Sequence, residues 1–148
     1  MIKALLSTAA VMTALGTGLY PVPAHAYALD PQLDCKSDAH TFIASLVDEH
    51  YIEPNAMHVE ENSVNAFRAT RGSELTAFGF RVYAVLGYVH DDPMFRKGSG
   101  EEMAGSLYGA IVSGSAETVG TRVREAGGDA VVHQVLPLLL TAIVCNEH

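Results

Sequence analysis

The chain has 148 residues, 49% of them hydrophobic, and sets 9 basic against 17 acidic side chains for a formal net charge of −8. That length fits one domain built around one core. The acidic balance argues against nucleic acid and anionic lipid, which need basic patches, and leaves a basic protein partner or plain solubility.

The first 26 residues read as a secretory signal peptide. Met1 to Lys3 is a short positive start, Ala4 to Leu19 is apolar without a charge, and Ala24-His25-Ala26 fits the small-x-small cleavage pattern, leaving Tyr27 as the new N-terminus. A membrane anchor fits poorly, because Gly16, Gly18, Pro21 and Pro23 interrupt a segment already shorter than the ~20 apolar residues a span needs. A lipoprotein site at Cys35 fits poorly too, since Asp34 precedes it. The expected destination is the periplasm, with residues 27–148 as a single domain and no membrane partner. Cleavage removes Lys3 and no acidic residue, so the mature chain is more acidic still.

Two cysteines remain, Cys35 and Cys145, near opposite ends of the mature chain. In an oxidising compartment an even count predicts a disulfide. Chain entropy values a bridge closing a loop of about 100 residues at ~4.7 kcal/mol.

Tyr27 to Asp34 contains Pro31 and no periodicity, which suggests an extended lead-in. From Cys35 on, the apolar residues Cys35, Ala39, Phe42, Ile43, Leu46 and Val47 recur at spacings of three and four, predicting an amphipathic helix. Asp34 is placed to cap it, and it should fail before Pro54. Residues 54–73 hold only isolated apolar positions and read as one short helix or loop. Leu75 to Phe78 suggests a short strand, with a bend at Gly79. Phe80 to Tyr88 is apolar on both alternating faces, the pattern of a central strand. Leu107 to Val112 is the next strand. Ser115 caps a helix from Ala116 to Ala126, stopped by Gly127-Gly128. Ala130 to Val135 and the very apolar Leu138 to Cys145 complete the strands, the last of them interior. The pattern is α+β: a mainly antiparallel sheet of about four or five strands, an N-terminal helix and one further helix on a face, closed by one disulfide.

No stretch carries a strong catalytic or metal motif. Of the 7 histidines, only His25 leaves with the leader, and none of the rest has zinc spacing. Asp48, Glu49 and His50 are neighbours on a helix and cannot converge, so they read as a solvated acidic face. His90-Asp91-Asp92-Pro93 is ordinary turn chemistry, and His133 reads as a packed or edge histidine. Ser113-Gly114-Ser115 is no nucleophile elbow. Gly98-Ser99-Gly100 neither follows a strand nor opens a helix, so it is no phosphate cradle. The expectation is a protein that is not an enzyme and takes no metal or cofactor.

The polar stretch from His90 to Ser106 is long for a connection between strands, and such loops are often functional. It gathers Met94, Phe95, Arg96 and Lys97, and Met, aromatic and Arg side chains are enriched where proteins touch. Asp91, Asp92, Glu101 and Glu102 would supply polar rim contacts. The competing reading is that Met94 and Phe95 fold back to cover the sheet edge.

The run VYAVLGYVHDDPMFRKGSG followed by LYGAIVSG, with the leader, the mature size and the single cysteine pair, resembles the periplasmic immunity proteins that guard bacteria against type VI secretion amidase effectors. The run covers residues 82–100 and 107–114. Groups of these proteins have unrelated folds, so the resemblance implies function and not architecture. It implies a specific inhibitor of a cognate peptidoglycan amidase, for which the eight loop residues just named, on loop length and composition, are the expected contact, and it leaves a homodimer open. The alternative is a periplasmic ligand-binding or chaperone-like stress protein without catalytic activity.

Overall fold

A computed structural model describes residues 25–147. The predicted leader lies outside the described residues except for its last two, His25 and Ala26, which open the first strand. Among the described residues, eight strands and two α-helices follow in the order β1 (His25–Ala28), α1 (Ala39–Asp48), β2 (His58–Val59), β3 (Asn65–Phe67), β4 (Ser73–Ala77), β5 (Phe80–Tyr88), β6 (Ser106–Ser113), α2 (Ala116–Glu125), β7 (Val131–Leu136) and β8 (Leu140–Glu147), with a 3-10 turn at Asp30–Asp34. The main sheet path is β1-β4-β5-β6-β8-β7, antiparallel except for the parallel β1–β4 pair. The α+β reading and the mostly antiparallel sheet are borne out. The sheet holds more strands than the four or five expected.

The additional strands are the short ones. Residues 54–73, read as a helix or loop, instead form the β2–β3 hairpin and an isolated bridge between Ile52 and Ala69. β3 pairs with β5 at Val85 to Gly87, while β4 pairs with β5 at Phe80 and Arg81. Since β6 occupies the other edge of β5, β3 and β4 share one edge in succession. Tyr27 to Asp34 is a strand followed by the 3-10 turn, rather than extended throughout.

β5 is the centre of the sheet. From Ala84 to Tyr88 every residue is buried, as expected of a strand covered on both faces. The β4–β5 turn sits on Phe78 and Gly79, with φ of 51° and 87°. Positive φ at both central residues is the hairpin turn that matches strand twist. Phe78 tolerates it because both of its backbone groups are tied. Its N–H donates to Asp30 Oδ1 at 2.8 Å, and its carbonyl accepts from the Arg122 guanidinium at 3.3 Å.

The N-terminal helix starts later than the sequence suggested. Cys35 has φ 63°, a left-handed conformation that cannot begin a right-handed helix. Asp38, not Asp34, is the cap: its carboxylate accepts the Thr41 N–H at 2.8 Å and the Thr41 hydroxyl at 2.9 Å. Those bonds, the Thr41 backbone N–H first, hold the Asp38 carboxyl below its ordinary range. Of the predicted apolar stripe, Ala39, Phe42, Ile43 and Leu46 are buried and Val47 is half-buried, while Cys35 falls outside the helix. Phe42 rests on Tyr108 with ring centroids 4.8 Å apart, and a Cβ on Gly87 would come within 2.7 Å of Ile43. α1 therefore lies against β5 and β6 at their closest approach.

The second helix is as expected, with Ser115 accepting the Thr118 N–H at 3.2 Å and Gly127 closing the helix at φ 73°. Cys35 and Cys145 form the predicted disulfide, which ties the junction between the 3-10 turn and α1 to β8. β8 lies between β6 and β7, so the last strand is interior as predicted.

Candidate functional site

The stretch between β5 and β6 is irregular but not loose. His90 and Asp91 begin it in a turn, with Asp91 at φ 59°. The Asp92 carboxylate accepts the Met94 N–H at 2.9 Å, and the Asp92 carbonyl accepts the Phe95 N–H at 3.1 Å. This is the short side-chain turn that Asp forms readily. The other Asp92 carboxylate oxygen lies 2.5 Å from His40 Nδ1 on α1. One aspartate thus shapes the turn and fastens it to the helix.

Phe95 then points inward. It is 6% exposed and stands edge-on to Phe67 and to Tyr88, at centroid distances of 6.4 and 6.2 Å. Edge-to-face pairs at these separations are the favoured aromatic geometry. Met94 is half-buried beside it. The reading in which these two side chains fold back onto the core is the one the fold adopts.

Beyond Phe95 the loop runs along the β2–β3 hairpin and bonds to it residue by residue. Asn65 clamps Arg96 through both of its amide atoms: Oδ1 accepts the Arg96 N–H at 3.0 Å, and Nδ2 donates to the Arg96 carbonyl at 2.9 Å. The Gly98 N–H donates to Ser63 Oγ at 2.9 Å. Gly100 donates to the Glu61 carbonyl at 2.9 Å and Met103 to the Asn62 carbonyl at 3.0 Å. At Gly98 the two backbones are so close that a Cβ would sit 2.0 Å from the Glu60 carbonyl oxygen. Asn65 and Ser63 are themselves buried, so their polar atoms are committed to this role.

The loop returns through Glu102. The Tyr88 hydroxyl donates to one of its carboxylate oxygens, and His90 Nδ1 lies 3.0 Å from the other. His90 Nε2 is 3.2 Å from Asp91. Tyr88, Val89, Asp91, Asp92, Pro93, Phe95 and Lys97 line a shallow pocket of ≈ 250 Å³. That is below the usual range for small-molecule sites, which starts near ~300 Å³. Both cysteines are in the disulfide, so neither offers a thiolate. Among the described residues no three His, Cys, Asp or Glu side chains gather as a metal site.

The eight residues expected to meet a partner divide by placement. Asp91, Arg96, Lys97 and Glu101 are exposed, although the Arg96 guanidinium also donates to the Ala56 carbonyl at 2.8 Å. Asp92 and Glu102 are partly covered and serve the loop's own bonds, Met94 is half-buried and Phe95 is inside. Asn65 and Ser63, which hold the loop in place, were not singled out from the sequence. Their partners lie 31 and 35 positions away in the chain, beyond any local pattern.

A second concavity lies on the opposite face of the sheet. Leu86, Leu107, Ile111 and Ala142 floor a groove of ≈ 690 Å³, walled by residues 58–62 of the hairpin and by Val135. No family model, curated protein or solved structure matches the chain.

Proposed function

We propose that the chain is a non-catalytic inhibitor acting in the periplasm, where it binds a peptidoglycan amidase delivered by a type VI secretion system and blocks its cleft. The observation that carries this reading is the preorganised loop. It is anchored by Phe95, clamped by Asn65 and laid along the hairpin, and it presents Asp91, Arg96, Lys97 and Glu101 outward. A surface held in shape before contact loses little entropy on binding, which is how standard-sized interfaces reach high affinity. Its mixed charges can be matched by a complementary partner, which sets association rate and specificity. The disulfide is compatible with an oxidising, extracytoplasmic compartment. The net charge of −8 suits a basic partner.

Immunity genes usually lie beside the gene of their toxin, so the test titrates the product of the adjacent reading frame with the purified oxidised protein, following hydrolysis of peptidoglycan peptides. Stoichiometric loss of activity is expected. Combining Asp91→Lys, Lys97→Glu and Glu101→Lys should weaken inhibition about tenfold or more, since rim charges contribute several-tenths to a few kcal/mol and 1.4 kcal/mol is a factor of ten. An amidase that stays fully active overturns the function. Undiminished inhibition by the triple variant moves the contact away from the loop.

A further inference from the structure

The apolar surface most exposed to solvent lies at the end of the sheet. β7 closes the strand path, so one row of its backbone groups pairs with β8 while the other meets no described strand. Val131, Val135 and Leu136 on β7 are half-exposed, and Leu138 and Leu139 in the following turn are 80% and 64% exposed. Single apolar residues at a surface need no explanation, but five along one strand and its turn form a contiguous patch of the kind that marks an interaction site. Edge strands are ordinarily guarded by lysine, by inward charge, by proline or by a bulge. β7 reads VVHQVL and has none of the first three, with Pro137 coming only after it. The register against β8 shifts between Gln134 and Leu136, which leaves Val131 to Gln134 as the regular part of the edge.

We infer that this edge is a self-association surface, on which β7 of one copy pairs antiparallel with β7 of a second about a two-fold axis. Charge selects the occupant. The chain carries −8, so two copies repel unless they meet where acidic groups are absent. Residues 130–145 contain no Asp, Glu, Lys or Arg, and no other such stretch among the described residues is as long. An antiparallel pair of identical strands is self-complementary, as a two-fold interface requires. It also gives each exposed backbone row hydrogen-bond partners, the mode by which sheet edges recruit strands. Two copies, each bringing five aliphatic side chains and a strand edge, come to about the 1,000 Å² at which specific interfaces begin, so the dimer is weak and reversible. This inference does not rest on the inhibitor reading.

The test is sedimentation velocity of the oxidised protein over a wide concentration range, for the wild type and for Val131→Lys combined with Val135→Lys. Amide hydrogen exchange is measured at low and high concentration alongside it. The wild type should pass from monomer to dimer in the micromolar range, with amides of residues 131–134 exchanging more slowly as concentration rises. The lysine variant should dissociate at least about tenfold more readily, a change of ~1.4 kcal/mol, with an unchanged circular dichroism spectrum. A wild type that stays monomeric at hundreds of micromolar overturns the inference. So does a folded variant that dimerises equally well, or concentration-dependent protection confined to other segments. If the variant does not fold, the wild-type exchange pattern decides alone.

Discussion

Replacing Phe95 with alanine separates the loop's support from its surface. The side chain is 6% exposed and meets two aromatic rings, Phe67 and Tyr88. Truncating a buried Phe to Ala typically costs about 3–5 kcal/mol, combining lost transfer energy with the cavity left behind. Each edge-to-face pair adds about 0.5–1.5 kcal/mol beyond area burial, which places this site toward the upper part of that range. A domain of this size shifts by roughly 4 °C per kcal/mol, so the thermal midpoint should fall by about 12–20 °C. Urea unfolding followed by near-ultraviolet circular dichroism gives the free energy directly, because the probe aromatics surround the site. Lys97→Ala, two residues on and exposed, is the control and should change stability by no more than about 0.5 kcal/mol. If Phe95→Ala costs less than about 1 kcal/mol, the ring is not held in the core and the loop is not anchored as described.

Other outcomes follow from the same geometry. Gly98→Ala forces a methyl group onto the Glu60 carbonyl, so the loop must lift from the hairpin; a loss of about 1–3 kcal/mol is expected, with faster amide exchange at Gly98 and Gly100. Asp38→Ala should cost about 1 kcal/mol near neutral pH as the α1 cap is lost. The folded Asp38 carboxyl titrates below its ordinary value, so its contribution is present above the unfolded-state value and is lost as pH falls through the folded one. Wild type and Asp38→Ala should therefore converge in stability in acid, and a gap that widens there would contradict the cap. Reducing the Cys35–Cys145 bridge should lower stability by about 2–5 kcal/mol, measured by urea unfolding with and without reductant.

Much of this fold was legible because local chemistry and tertiary structure agree. β5 is apolar on both faces and is central. Ser115 and Gly127 delimit α2 as their types suggest. The disulfide followed from two cysteines in a chain with a secretory leader pattern. The failures have physical causes too. β2 and β3 are two and three residues long, too short for a period to show, and they exist because β3 pairs with β5. The start of α1 was misplaced because Asp34 and Asp38 are equally good capping residues; the left-handed backbone at Cys35 decides between them. In the loop, composition marked Met94, Phe95 and Arg96 as a unit. The structure divides them, since nothing in the sequence tells an anchoring aromatic from a presented one. The Asn65 clamp was invisible for a related reason: a buried asparagine is costly alone and acceptable only with the distant backbone groups it bonds.

The central claim, that a preformed loop face binds and silences an amidase, is tested most directly by calorimetric titration of the oxidised protein into the product of the adjacent reading frame, assayed in parallel for peptidoglycan hydrolysis. Binding should be tight, should abolish hydrolysis at stoichiometric protein, and should weaken when Asp91, Lys97 and Glu101 are charge-reversed. Absence of heat and unimpaired hydrolysis at excess protein would contradict it.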